Sequence, residues 1–354
     1  MSVRAAVVGT SFGARIHVPA LRQAGFDVVA IVGTDPDRTA RRAERLGVEH
    51  ACTTLGAALG LGLHAVSIAT PPATHAPLAE EAIRGGCHVL CEKPFALDSG
   101  EAARLTEFAA SAGRVGMVGH EFRWSHRQAV AGWALEGGMI GTPRLAVSVS
   151  FVPMLRSMAM PDWWFDPARG GGWLGASGSH QIDALRQWFG EVEAVSATQP
   201  PLRDPALPVD DTFDIRCRMR SGVDAAVIQS ASAVGPAYST TRVLGTEGTL
   251  WADGEGVRLA TTDDDPAGRL LDTPPGCELP EVDAPAAAPL AGMTRMELPP
   301  YIRLAQAFRA AIIGEGSGPG PRAATFDDGW ACMRVVDAVR RSAADRGAWQ
   351  ELPA

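Results

Sequence analysis

Over residues 1–120 the chain alternates short apolar runs with helical patterns, and this alternation restricts its fold more than any other feature. VRAAVV (3–8), DVVAIV (27–32), HAVSIA (64–69), HVLCE (88–92) and RVGMVG (114–119) are too short for buried helices and read as strands. Between them, PDRTARRAERL (36–46) is a charged helix with Pro36 suited to its first turn. APLAEEAIR (76–84) is a helix stopped by Gly85–Gly86, and SGEAARLTEFAASAG (99–113) is another. Strands that each return through a helix form a parallel sheet covered on both faces.

The pattern changes after about residue 122. LAVSVSF (145–151), FDIRCRM (213–219) and AAVIQS (225–230) have period-two or short apolar character, which suits an antiparallel sheet with one covered face. Helices are predicted near 180–189, 299–313 and 327–344, and the Pro-, Ala-, Asp- and Gly-rich stretch 261–298 is predicted as a long irregular excursion. A chain of 354 residues is too long for one ordinary core, so two domains are expected, 1–122 and 123–354.

A net charge of −8 with no basic run argues against nucleic acid and anionic membrane as partners. No stretch approaches the ~20 apolar residues of a membrane span. The N-terminus, MSVRAAVVGTSF, lacks the pattern of a signal peptide, and a cytoplasmic location is expected. Cys52, Cys87, Cys91, Cys217, Cys277 and Cys332 are scattered without a C-x-x-C pair, which points to reduced thiols and no metal site.

The first strand runs into Gly9-Thr10-Ser11-Phe12-Gly13-Ala14, a G-x-S-x-x-A version of the dinucleotide fingerprint. Gly9 permits the tight turn and Ala14 is small enough for helix–strand packing. Ser11 replaces the glycine that lets backbone approach the pyrophosphate, and its hydroxyl offers a phosphate contact. A helix beginning near Gly13 would present free N–H groups and a positive dipole end. The second strand ends Val32-Gly33-Thr34-Asp35-Pro36-Asp37-Arg38, with Gly33 where an NAD enzyme usually places an acid for the ribose 2′-hydroxyl. Thr34 offers a hydroxyl and Arg38 a planar cation suited to a 2′-phosphate, so NADP is favoured over NAD. The alternative is that Asp35 bends back to serve as the acid and leaves Arg38 in solvent.

GTSFGARIHVPAL (9–21), CEKPFAL (91–97) and GGGWLGASGSHQID (170–183) together resemble the Gfo/Idh/MocA oxidoreductase family, over nearly the whole chain. The resemblance implies an N-terminal Rossmann domain, with a doubly wound parallel sheet, followed by an α+β domain on a large, mostly antiparallel, open-faced sheet. It also implies hydride transfer on sugars, cyclic polyols or related small molecules. GTD-x-x-R looks like the 2′-phosphate site of NADP-using members. Glu92-Lys93-Pro94 follows the fifth strand, where ligands bind in such sheets. The resemblance implies a cis Lys93–Pro94 bond and a Lys93 that points toward nicotinamide and the reacting hydroxyl. Thr70, Pro71 and His75 would line the path from adenosine to nicotinamide; His75 as a surface cap of the next helix is the competing reading. Relatives often carry Asn near the cofactor two positions before the arginine of VGHEFR (118–123), and here that place holds Glu121.

His180 and Asp183 are i and i+3 on one helix face, with Ile182, Leu185 and Phe189 packing inward. His180 is placed to bond a substrate hydroxyl and Asp183 to orient it, or the two form a structural pair at a helix start. Many relatives have a catalytic Asp four residues before this histidine; here it is Ala176, which leaves the proton chemistry to Lys93 and His180. Trp163 and Trp164, near Arg156, are expected as an aromatic and cationic pocket wall, with Trp163 also counted among cofactor contacts. Tyr301 is expected to open the 299–313 helix beside the cofactor. The reading is an NADP(H)-dependent oxidoreductase acting on a carbohydrate-like substrate, as a homodimer or homotetramer. A redox-cycling lyase or glycosidase that retains its cofactor, and a non-enzymatic nucleotide sensor, are the alternatives.

Overall fold

The computed structural model describes residues 2–262, 266–282, 290–316 and 318–353. The chain divides into two compact units, the first Met1–Ser125 with Leu279–Trp330, the second His126–Glu278 with Ala331–Ala354.

The first unit carries six strands: β1 (Val3–Val8), β2 (Phe26–Val32), β3 (His50–Cys52), β4 (Ala65–Ile68), β5 (His88–Cys91) and β6 (Gly116–Val118). They form one sheet in the order β3-β2-β1-β4-β5-β6, and every pairing is parallel. The order reverses between β1 and β4, and a doubly wound sheet binds its ligands outside the carboxyl ends at that point. Local signals set the helices. Asp35 caps Pro36–Leu46 by accepting from the Arg38 N–H, and Gly47 ends it in the left-handed conformation. Asp98 caps Ser99–Ser111 in the same way.

An unbroken second domain over 123–354 is not what the chain forms. The helix predicted at 299–313 runs Ala291–Ile313, passing through Pro299 and Pro300, and it belongs to the first unit. Those prolines lack the N–H that would bond back one turn, so pattern alone started the helix too late. Leu298, Tyr301, Ile302, Ala305 and Phe308 share one buried face in the core with Val3, Ile16, Leu21 and Val28, and Phe308 stacks on Phe26 at 5.8 Å. Leu298, Ile302 and Phe308 each contribute roughly 1.5–3 kcal/mol by leaving water, which draws this distant segment to the N-terminal sheet. The irregular stretch predicted at 261–298 is also shorter: besides this helix it holds the short strand Arg269–Leu270, and its residues 263–265 and 283–289 lie outside the described residues.

The second unit carries β7 (Pro143–Phe151), β8 (Val192–Thr198), β9 (Thr212–Met219), β10 (Asp224–Ser230), β11 (Tyr238–Gly245), β12 (Gly248–Asp253), β13 (Gly256–Thr261), β14 (Arg269–Leu270) and β15 (Gln350–Glu351). They form one sheet in the order β14-β13-β12-β11-β7-β10-β9-β8-β15. Among the described residues, only the β7–β10 pairing in this sheet is parallel. Burial alternates along β9, with Phe213, Ile215, Cys217 and Met219 inward, the mark of a sheet covered on one face. Ser179–Phe189 packs through Ile182, Leu185 and Phe189, all buried. Among the described residues, no helix is long and apolar enough to cross a membrane.

Candidate active site

The β1–β4 switch point is built by close backbone approach. Gly9 has φ +124°, and a Cβ there would lie 2.2 Å from the Ala69 carbonyl oxygen, so only glycine fits. The helix after it opens with a wide π-type turn, Gly13–His17, before continuing as Val18–Gln23. Gly13 and Ala14 are buried, Ser11 is exposed, and Phe12 is half-buried with its ring edge-on to His17 and Tyr301. Arg15 lies over the outer face of Phe12, 5.3 Å from its centroid, and pairs with Glu297 at 2.8 Å.

At the end of β2, Gly33 is also a packing requirement. A Cβ would fall 2.4 Å from Thr10 Cγ2 and 2.6 Å from Thr39 Oγ1, so an acidic side chain has no room there. Asp35 does not serve as the missing acid either, because its carboxylate caps the following helix at 2.9 Å from the Arg38 nitrogen. Thr34 and Arg38 are exposed, and the Arg38 guanidinium has no partner among the described residues.

At the end of β5, the Lys93–Pro94 bond is cis. Glu92 is 7% exposed and anchors this turn. Its Oε1 accepts from the Tyr301 hydroxyl at 2.7 Å and meets His17 Nε2 at 3.2 Å, while Oε2 faces the Lys93 amide at 3.2 Å. His17 Nδ1 meets Ser67 Oγ at 2.7 Å, completing a buried Ser67–His17–Glu92–Tyr301 chain. Burial opposes the Glu92 charge, but the His17 hydrogen bond, the nearby Lys93 and the Tyr301 hydroxyl outweigh it and hold its pKa below the usual carboxylate value. Tyr301 does not open its helix but lies inside Ala291–Ile313. It is 0% exposed, behind Glu92, and burial among carboxylates drives its phenol well above the ordinary value.

His75 is no surface cap and lines no open path. It is fully buried, with Nδ1 2.9 Å from the Pro94 carbonyl and Nε2 2.9 Å from the Thr70 carbonyl. Burial lowers its pKa, so the neutral ring donates to one carbonyl at a time and ties the turn after β4 to the turn after β5. Thr70 and Pro71 are half-buried, and Thr70 accepts from the Thr74 hydroxyl at 2.7 Å. Lys93 is half-buried. Glu121 is 2% exposed, and its Oε2 has no hydrogen-bond partner among the described residues.

In the second unit a second π-type turn, Leu174–Gly178, leads into the helix that carries half-buried His180 and buried Asp183. Asp210 supports this entry: its Oδ2 accepts from the Leu174 nitrogen at 2.6 Å, and burial raises its pKa to about 6. The Trp163 ring lies 5.7 Å from that of Trp164, tilted by 48°, and Trp164 lies 6.3 Å from Trp173. Arg156 is committed to the Ser232 carbonyl at 2.6 Å.

Sequence reasoning passed over His17, Ser67, Glu297 and Asp210. His17 did carry a signal: a histidine between Ile16 and Val18 in a buried helix needs a polar partner. Glu297 carried none, since 282 residues separate it from Arg15 (297 − 15).

A glycine cradle at the switch point, with a buried carboxyl at Glu121 whose Oε2 has no hydrogen-bond partner among the described residues, fits a dinucleotide, whose diphosphate needs close backbone approach and whose ring end offers polar atoms. This fold and site define a nicotinamide-dinucleotide-binding oxidoreductase. The chain belongs to the Gfo/Idh/MocA family: residues 3–120 match its oxidoreductase, NAD-binding Rossmann-fold model, and residues 130–251 match its C-terminal domain model. It is 30% identical to a D-apiose dehydrogenase of Paraburkholderia graminis over 70% of this chain and 66% of that one. It is 28% identical to an NADP-dependent D-xylose 1-dehydrogenase of Haloferax volcanii over 98% of both chains. The structure of a levoglucosan dehydrogenase in complex with NADH and levoglucosan superposes with a TM-score of 0.84 and 26% identity, covering all of both chains.

Proposed function

We propose that this protein is an NADP(H)-dependent dehydrogenase or reductase acting on a sugar, cyclic polyol or related carbohydrate-like substrate, with Lys93 and His180 as its acid–base groups. The observation that carries this reading is the mounting of Lys93. It stands at the carboxyl end of β5, in a turn held from behind by buried Glu92 and His75. A lysine fixed this way, next to strands whose ends form the glycine cradle, suits proton transfer better than a solvated loop lysine does. The named activities of the apiose, xylose and levoglucosan relatives support a carbohydrate C–OH or C=O as the reacting group.

The bound nicotinamide supplies the hydride donor or acceptor. Gly9, Ser11, Phe12, Gly13 and Ala14 would hold its diphosphate, Thr34 and Arg38 its 2′-phosphate, and Thr70 and Pro71 the path toward the ring. Lys93 gives or takes the proton on the reacting oxygen, His180 shares that task, and Asp183 orients His180. The relatives include an NADP enzyme and an NADH complex, so the preference for NADP rests on Gly33, Asp35 and Arg38. Leu145 and Leu244, paired neighbours on β7 and β11, are exposed on the open sheet and support a homodimer or homotetramer.

A panel of sugars, inositols and ketosugars with both cofactors, followed at the NAD(P)H absorbance, tests the activity. Lys93→Met should lower kcat by roughly 10²–10⁴, as for general acid–base groups, with cofactor affinity retained; His180→Ala should fall in the same range. The double variant should lose much less than the product of the two. Near-normal turnover in Lys93→Met refutes the mechanism.

A further inference from the structure

Among the 32 lysines and arginines of this chain, only residue 93 is a lysine. Elsewhere the chain carries guanidinium groups, which are not deprotonated in proteins; at 93 it carries an amine that can give up a proton. That amine ends a flexible four-carbon stem, so its use on one reacting oxygen requires that the turn beneath it be held still.

The hold begins at His17, the last residue of the π-type turn Gly13–His17. There the Val18 N–H bonds to the Gly13 carbonyl, five residues back instead of four. One extra residue in a turn displaces the side chains that follow by roughly 100°. His17 lies fully inside, with Nδ1 2.7 Å from Ser67 Oγ and Nε2 3.2 Å from Glu92 Oε1. Gly13 and Ala14, at the other end of the same turn, are the residues assigned above to the cofactor diphosphate.

Glu92 passes the hold on. The Tyr301 hydroxyl donates to the same Oε1 at 2.7 Å, and the Gly119 backbone closes on that oxygen so tightly that a Cβ would lie 2.5 Å from it. The other oxygen, Oε2, accepts from the Lys93 amide at 3.2 Å. Contacts on both oxygens fix the carboxylate, and with it the peptide between Glu92 and Lys93. Burial opposes the Glu92 charge, and the His17 hydrogen bond is the largest effect that keeps the group ionised and able to accept from all three donors.

We propose that His17 is a positioning residue for Lys93: through Glu92 it ties the turn that cradles the cofactor diphosphate to the turn that presents the lysine. The inference rests on the acid–base role proposed for Lys93. Enclosed at both ring nitrogens, His17 acts through Glu92.

Two substitutions separate the contacts of the histidine. The amide nitrogen of glutamine falls near the place of Nε2 and that of asparagine near Nδ1, so His17→Gln keeps a donor for Glu92 and His17→Asn does not. Because the chain has a single lysine, full-length protein prepared with ¹³C-labelled lysine reports on the Lys93 side chain alone. In the unmodified protein and in His17→Gln its two ε-protons should have separate NMR shifts, as in a stem held in one rotamer; in His17→Asn they should merge. With the most active sugar of the panel above, kcat should fall about tenfold or more in His17→Asn, with KM and cofactor Kd within about threefold, and His17→Gln should keep kcat within about threefold. If His17→Asn does not fold, Tyr301→Phe, which removes the other donor to the same oxygen, takes its place and should merge the signals and lower kcat. Equal losses in His17→Gln and His17→Asn would assign His17 to packing and overturn the proposal. A kcat that falls while the Lys93 signals stay separate, or one that does not fall, would overturn it as well. Normal turnover in Lys93→Met would refute the role of Lys93 itself, while the ε-proton signals would still decide whether His17 positions it.

Discussion

Arg38→Ala isolates the cofactor preference. Arg38 stands in the first turn of Pro36–Leu46, exposed and with its guanidinium unpartnered among the described residues. Its backbone N–H to Asp35 survives the substitution, so the helix cap remains and the fold loses no contact. A hydrogen bond to a charged group is worth about 1.5–3 kcal/mol. Solvent exposure, and the carboxylates of Asp35 and Asp37 on the same turn, place this one at the lower end. About 1.5 kcal/mol corresponds to roughly tenfold in Kd. In fluorescence titrations at low ionic strength, NADPH should bind about tenfold more weakly to the variant, with NADH within about twofold, and the gap should narrow in high salt. The reasoning is refuted if the unmodified protein prefers NADH, or if Arg38→Ala weakens both cofactors equally. Gly33→Asp, the obvious conversion toward NAD, should instead reduce stability, because its Cβ would fall 2.4 Å from Thr10 Cγ2 and 2.6 Å from Thr39 Oγ1.

Two aspartates, buried Asp328 and half-buried Asp210, should respond to pH in opposite directions. Asp328 accepts from Arg322 at 2.7 and 2.9 Å and lies 3.5 Å from Arg123, itself 1% exposed; against burial, these arginines hold its pKa far below the usual value. Its stabilisation is present above the unfolded pKa of about 3.9 and lost as pH falls toward the folded value, so Asp328→Asn should cost about 3–5 kcal/mol in denaturant unfolding at pH 7 and progressively less in acid. An equal cost at pH 3 would contradict this. For Asp210, burial raises the pKa from 3.8 to about 6, so the unfolded chain ionises first and stability falls as pH rises through that window. The shift amounts to about 3 kcal/mol, and Asp210→Asn, whose amide oxygen can still accept from Leu174, should raise the melting temperature at pH 8 but not at pH 4. A variant less stable at both values would show that the ionised carboxylate is needed.

What the sequence determined by itself was local. The β1 turn at Gly9, the Asp35-capped helix Pro36–Leu46 and the helix carrying His180 and Asp183 are written in residues a few positions apart, where turn geometry, capping and helical periodicity act directly. Gly33 was legible as a missing acid, but its steric reason, the side chains of Thr10 and Thr39, was not. Tertiary structure alone decided which distant segments meet. Pro299 and Pro300 hid the start of a helix whose buried face, through Leu298, Ile302 and Phe308, completes the N-terminal core. That packing sets Tyr301 against Glu92 from 209 positions away and brings Glu297 to Arg15. Likewise the turns after β4 and β5 enclose His75 as a buried clamp between the Thr70 and Pro94 carbonyls. The physical reason is that burial of apolar surface is non-directional and carries no record in local spacing, whereas buried charges and hydrogen bonds depend on what that burial has placed beside them.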